Sequence, residues 1–335
     1  MYVEAIAPTR IDLAGGTLDI YPMFLYEPDG TTVNMGIDVS SRVRLTPRED
    51  GRIRLRSVDT GDDQTADTVE TLALRGSLDL VARLVKFYAP ATGLDVETQN
   101  QAPKGSGLGA SSSLLIALSA ALNELNGTAF DGETLIRWGA DLEAQSIEIP
   151  TGKQDYYPAF YGGVNAIHWG VRGNEVRRLL VSEDTIGTLE RRLILTFTGI
   201  SHFSGATNWD MLRNYIENTG ATRASLRRIN ETAHDMEAVL QSADFDGFAD
   251  VLDREWQNRR NLAEGVSTPA IDAMMAAARE AGAMANKLCG AGGGGCMITY
   301  VREGAQDAVR AALEAHGARQ IPFRISRGGV HITRG

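Results

Sequence analysis

PKGSGLGASSS, residues 103–113, stands between a strand-like segment at 93–98 and an apolar helical run that stops at Gly127. Gly105, Gly107 and Gly109 remove side chains where the backbone must turn tightly, and the following helix presents unpaired N–H groups and the positive end of its dipole. Such a loop is a cradle for phosphates. Pro103 opens the stretch, and Ser106, Leu108, Ala110, Ser111, Ser112 and Ser113 complete the candidate nucleotide-binding set. No Gly-Lys-Ser/Thr closes it, so it is not the P-loop pattern, and its spacing does not fit a dinucleotide fingerprint.

Three further clusters carry chemistry-bearing residues. In DLEAQSIEIPTGKQD, 141–155, Glu143 lies on a helix and Asp155 follows a Pro-Thr-Gly turn that lets its carboxylate point back toward the same cleft. A magnesium nucleotide enzyme needs an acidic metal ligand and a carboxylate that accepts or orients a hydroxyl proton. Glu148 competes with Glu143 for the metal role, and Lys153 would hold a nearby phosphate. In KLCGAGGGGC, 287–296, the glycines permit unusual dihedrals or close backbone approach, with a buried strand following at Met297, Ile298 and Tyr300. In APTRIDLAGGTLD, 7–19, a strand ends in Gly15-Gly16, after which Asp19 offers an acceptor for sugar hydroxyls and Arg10 can stabilise charge.

The 335 residues suggest two domains. A net charge of −10, from 33 basic and 43 acidic residues with no basic stripe, argues against a nucleic-acid binder. No apolar run approaches the roughly 18–20 residues of a membrane span, and no basic segment followed by an apolar one opens the chain. Two cysteines, Cys289 and Cys296, make no disulfide framework or zinc spacing, so a reducing cytoplasmic location is expected. Glycine is enriched, 36 residues or about 11% against a usual ~7%. Alternation marks strands at 2–8 and 32–46, and a turn at Gly51 suggests a hairpin to 53–57. The acidic stretch 59–67 reads as a solvated loop. Helical periodicity covers 78–88, 111–126 and 132–146, and helices then dominate from 208 to 280. Strands and helices mix without a βαβ rhythm, which gives an α+β class.

Together the four clusters resemble the GHMP kinases. PKGSGLGASSS is similar to that family's P-x-x-x-G-L-G-S-S-A phosphate loop, and KLCGAGGGGC to its K-x-x-G-x-G-x-G-G motif. RIDLAGGTLD, TVNMGIDV, IPTGKQDYYPAFYGGVNAI and FTGISHFSG resemble the sugar-1-kinase branch, which includes D-glycero-D-manno-heptose 7-phosphate kinases and L-fucokinases. Gly-Gly-Thr-Leu-Asp lacks the third glycine of the first group and the tryptophan of the second. The resemblance implies a ribosomal S5 domain 2-like N-terminal domain, 1–188, and a ferredoxin-like C-terminal domain, 189–335.

It further implies ATP and Mg²⁺ as cofactors and a sugar or sugar phosphate as the small-molecule partner; monomer and homodimer both stay open. Asp155 matches the catalytic Asp, and Arg10 and Lys153 would stabilise charge near the transferring phosphoryl. Glu143 matches the magnesium-binding Glu, and Ser111, with Ser112 as competitor, the magnesium-binding Ser. Gly15, Gly16, Thr17 and Asp19, with Gly292 and Gly293, would shape the acceptor site. For an acceptor that already carries a phosphate, Lys153, Arg10 and His202 are the candidate anion contacts. A binding module of the same fold without catalysis is the alternative of another class, opposed by the presence of Asp155, Glu143 and the serine run.

Overall fold

The outer half of the first strand, β1 (Val3–Ala14), alternates buried and exposed side chains, whereas its inner half is buried on both faces. Helices cover both sides there. α3 (Ala110–Leu125) and α5 (Tyr156–Tyr161) pack against β1, as do α8 (Thr222–Ser242) and α9 (Phe245–Arg259). In the computed structural model, which describes residues 1–201 and 204–335, the remaining elements of the first part are α1 (Met23–Tyr26), β2 (Thr31–Arg48), β3 (Ile53–Ser57), β4 (Asp63–Ala66), α2 (Asp79–Tyr88), β5 (Gly93–Asn100), α4 (Gly132–Ile147), β6 (Val164–His168) and β7 (Glu175–Arg178). The second part adds α6 (Glu183–Arg192), β8 (Leu193–Phe197), α7 (Ser204–Ile216), α10 (Pro269–Glu280), β9 (Ala283–Leu288), β10 (Cys296–Val301), α11 (Gln306–Ala315), β11 (Arg319–Gln320) and β12 (His331–Arg334).

The first sheet runs β12-β1-β2-β5-β3-β4, with β6 and β7 extending from β2. The hairpin expected at Gly51 does not form. β5 inserts between β2 and β3, antiparallel to the former and parallel to the latter, because Ile53, Leu55 and Val96 need a shared buried face. The stretch read as a solvated loop contains β4, an edge strand without large apolar residues that pairs with β3 through ladder hydrogen bonds. The second sheet is antiparallel, in the order β11-β8-β10-β9. Residues 188 and 189 fall inside α6, which leads into this second sheet, while the chain's last strand returns to pair with β1 of the first.

α3 is buried from Ser112 to Leu122 with few exceptions, as expected for a helix that is apolar nearly all round. Its face toward β1 and β2 belongs to one core with α2 and α4. The other face of β1 and β2, through Ile11, Leu13 and Met35, shares a second core with Leu195 and Ile298 of the second sheet and Phe248 of α9. The functional loops meet where these cores adjoin.

Candidate active site

Four helices begin with a side-chain cap: Asp131, Ser182, Asp244 and Thr268 each accept a backbone N–H of the first turn. α3 has none. Its N-cap is Gly109, at φ +72°, so the N–H groups of its first turn face the cleft without a side-chain acceptor. Pro103, Gly105, Ser106, Gly107, Gly109, Ala110, Ser111 and Ser112 line a cleft of about 700 Å³ with them. Leu108 and Ser113 do not reach it. The Leu108 side chain is buried in the core beneath the loop, and the Ser113 hydroxyl donates to the Ala7 carbonyl at 2.7 Å, facing β1.

Asp155 stands at the start of α5, against the loop. A Cβ on Gly109 would lie 2.9 Å from its Oδ2, so only glycine lets the loop approach. Arg10 donates from Nε to Asp155 Oδ1 at 2.7 Å, and Nη2 lies 2.6 Å from the same oxygen. Burial raises the Asp155 pKa; Arg10 opposes the shift, Asp19, Glu143 and Asp12 add to it, and the result is about 7. Its side chain nonetheless keeps 22% exposure and lines the cleft. Arg10 is held charged, since Asp155 and Asp12 outweigh the cost of its burial.

Glu143 is buried on α4 and forms the centre of a hydroxyl cluster. Ser111 donates to its Oε1 in a short hydrogen bond, while Tyr156 donates to Oε2 at 2.6 Å and Thr151 at 3.3 Å. Ser111 is exposed at the cleft and Ser112 is buried behind it. Glu148, exposed at the C-terminal end of α4 with φ +57°, is not among the lining residues. These oxygen donors suit a hard divalent cation.

Asp19 is buried and ties two loops together. Its Oδ1 accepts the Thr17 N–H and its Oδ2 the Gln154 N–H, each at 3.0 Å, and a side chain at Gly152 would collide with Oδ2. Burial pushes its pKa up, against the backbone hydrogen bond from Gln154. Thr17 and Asp19 face the cleft; Gly15 and Gly16 do not line it. Gly16 instead leaves room for Arg259, whose Nη2 would be 2.5 Å from a Cβ there. Gly292 and Gly293 are also displaced from the expected role. Gly293 donates its N–H to the Val266 carbonyl at 2.8 Å and Gly292 packs on Val266, so Gly290 and Ala291 form the cleft wall in their place. Lys153 is likewise absent from the lining, and its charge acts on Glu133. His202 lies outside the described residues.

A second charged layer supports the first. Lys287 and Asp12 form a fully buried pair at 2.6 Å; Lys287 also donates to the Asp12 and Leu288 carbonyls, and the Gly290 N–H donates to Asp12 Oδ1 at 2.9 Å. Burial would raise the Asp12 pKa, but Lys287, Arg10 and Arg259 together hold it below the usual range. Arg259 pairs with Glu255 at 3.2 Å, both essentially inaccessible, and donates to the Gly290 carbonyl at 3.1 Å. Sequence reasoning did not single out Asp12, Arg259 or Glu255. Arg10 and Asp12, two residues apart on a strand, share one face, a signal for Asp12; the i,i+4 spacing of Glu255 and Arg259 resembles any surface pair.

Comparison with known proteins places these features in a family. The models for the GHMP kinase N-terminal and C-terminal domains match residues 74–163 and 236–319, which is just over half of the chain. A D-glycero-alpha-D-manno-heptose 7-phosphate kinase of Campylobacter jejuni is 28% identical, with 99% of each chain covered. An L-fucokinase/L-fucose-1-P guanylyltransferase of Bacteroides fragilis is 27% identical over 98% of this chain, which spans 38% of that longer protein. The crystal structure of a D-glycero-D-manno-heptose 1-phosphate kinase from Bacteroides thetaiotaomicron, 24% identical, superposes with a TM-score of 0.78 over 99% of both chains. With both domain models in their proper order and the glycine loop, Asp155 and the Ser111–Glu143 pair gathered in one cleft, the chain belongs to the GHMP kinases.

Proposed function

We propose that this ATP-dependent phosphotransferase phosphorylates a hydroxyl of a sugar or sugar phosphate, with the anomeric C1 hydroxyl of D-glycero-D-manno-heptose 7-phosphate as the first candidate acceptor. One observation carries the reading: the Asp155 carboxylate faces the cleft between the uncapped N-terminus of α3 and Asp19, with its proton affinity raised into the neutral range. The Campylobacter jejuni relative, a heptose 7-phosphate kinase similar along its whole length, supports the acceptor.

Asp155 accepts the proton of the attacking hydroxyl as that oxygen bonds to the γ-phosphorus and the bond to the ADP oxygen breaks. Arg10 orients Asp155 and offsets the charge that develops beside it. The first-turn N–H groups of α3, with the loop Gly105–Gly109, hold the nucleotide phosphates. Ser111 and Glu143 would hold Mg²⁺, which supplies charge neutralisation to the phosphates when bound. Thr17 and Asp19 contact acceptor hydroxyls; each Asp19 oxygen keeps a lone pair beyond the backbone N–H it accepts. Free, buried cysteines accord with a cytoplasmic location.

ADP release with Mg-ATP, measured against D-glycero-D-manno-heptose 7-phosphate, the same heptose without phosphate, L-fucose, galactose and mevalonate, tests the reading. Turnover confined to the heptose phosphate is the expected outcome. Preference for L-fucose would move the chain to the second reading, which the L-fucokinase relative favours. ATP binding without turnover on any acceptor would leave a nucleotide-binding module.

A further inference from the structure

Outside the cleft lining, where β6 meets α8, three ligating side chains converge that the phosphotransfer chemistry does not use. The nearest donor atoms of His168, His234 and Glu237 all lie within 4.8 Å of one another. His168 belongs to β6 of the first sheet, whereas His234 and Glu237 are one turn apart on α8 of the second part. We propose that these residues form a binding site for a borderline divalent metal of the zinc class, which fastens α8 to the first sheet.

The hydrogen bonds around the imidazoles fix which atoms are free. Thr31 donates its hydroxyl to the Asp29 carbonyl at 3.2 Å, so at 2.9 Å from His168 Nδ1 it accepts the Nδ1 proton. His168 Nε2 is then a bare lone pair. It is buried and has no hydrogen-bond partner, yet lies 3.3 Å from Glu237 Oε2. Two lone pairs facing each other at that separation repel unless a cation lies between them. In a tetrahedral zinc site with bonds of about 2.0–2.1 Å, neighbouring donor atoms are about 3.3–3.4 Å apart, which this pair already satisfies. His234 donates Nε2–H to the Asp29 carbonyl at 3.2 Å and so leaves Nδ1 as its ligand atom. Each imidazole thus has its second nitrogen anchored by a polar group, the support that metal-bound histidines require.

Further hydrogen bonds tie α8 to the segment before β2. Asn230, on the same face of α8, accepts the Thr31 N–H at 3.0 Å and donates to the Pro28 carbonyl at 3.4 Å. Arg177, 3.9 Å from the other Glu237 oxygen, is more than half exposed and free to turn outward as the metal enters. Two imidazoles and one carboxylate select Zn²⁺, Co²⁺ or Ni²⁺ over Mg²⁺, and a water would complete the tetrahedron.

The test uses the untagged full chain, stripped with chelator and titrated with Co²⁺ and then Zn²⁺ in the presence of millimolar Mg²⁺. One equivalent of Co²⁺ with a visible absorption band, displaced by Zn²⁺ and accompanied by a rise in Tm, is expected. The exposed His234→Ala change should weaken Zn²⁺ binding by at least tenfold and abolish the Tm rise while leaving kinase activity intact. Glu143→Gln should leave the Zn²⁺ affinity unchanged. No binding below about 1 mM, or binding lost in Glu143→Gln and retained in His234→Ala, overturns the proposal.

Discussion

Asp155 combines two demands that pull its proton affinity in opposite directions. Burial and the carboxylates of Asp19 and Glu143 raise it, and Arg10 limits the rise. Asp155→Asn is expected to lower turnover by about 10² to 10⁴, roughly 3–5 kcal/mol of barrier, with nucleotide affinity retained. A loss below tenfold in the ADP-release assay would remove it from the role of base. The ionised form is the one that accepts a proton, so a pKa of about 7 places an acid limb there: kcat/KM should fall as pH drops below 7. A plateau extending to pH 5 would show that Asp155 does not titrate as the base in the free enzyme. Glu143→Gln should shift the Mg²⁺ titration to higher concentration, because it removes the charge and keeps only one of the two oxygens, Oε1 and Oε2, that Ser111 and Tyr156 contact separately; an unchanged titration would place the metal elsewhere. The proximity of Arg10 and Asp155, 145 positions apart, was legible only through resemblance to a family, since no local pattern encodes a contact that the fold creates.

At the scale of elements, the loops are joined backbone to backbone. The Cys296 N–H donates to the Ser106 carbonyl at 2.6 Å, and a Cβ on Gly295 would lie 2.6 Å from that same oxygen. Gly107, at φ +69°, would drive a Cβ into the Cys289 carbonyl. Gly107→Ala therefore carries both a left-handed backbone cost of about 1–2 kcal/mol and a steric one, whereas Gly127→Ala, at φ +65° with open space, carries the first alone. Urea unfolding should show the larger loss for Gly107→Ala, together with a raised KM for ATP; equal losses would mean that the loops do not interlock. The glycine-rich strings were readable as sites of close approach because no other residue tolerates one. What each glycine approaches was not, which is why Gly292 and Gly293 were expected at the acceptor but pack on Val266. Helices with strong periodicity, α2 and α4 among them, fell within a residue or two of expectation. The partner of β3 did not, since alternation names a buried face and leaves open which strand lies beside it.

Over the whole molecule, the two sheets meet through charge as well as apolar contact. Asp12 comes from the first sheet and Lys287 from the second, and their pair is wholly inaccessible. Lys287→Met leaves the Asp12 carboxylate without its main counter-charge and should cost about 3–5 kcal/mol in denaturant unfolding. A loss under 1 kcal/mol would show that Arg10 and Arg259 suffice to hold it. Length predicted two units, and the mix of strands and helices without a βαβ rhythm an α+β class, but the return of β12 to β1 had no signal in the sequence, because a four-residue edge strand has too little pattern to name its sheet.

The seam between the phosphate loop and the glycines at 290–295 has a mechanical consequence. Two bodies can swing about a single point of attachment, yet here they are riveted along a line by Ser106 to Cys296, Asp12 to Lys287 and Asp12 to Gly290. Opening the cleft like a jaw would break all three at once, so a floor that stays fixed, with ligands passing the walls above it, is the expected behaviour.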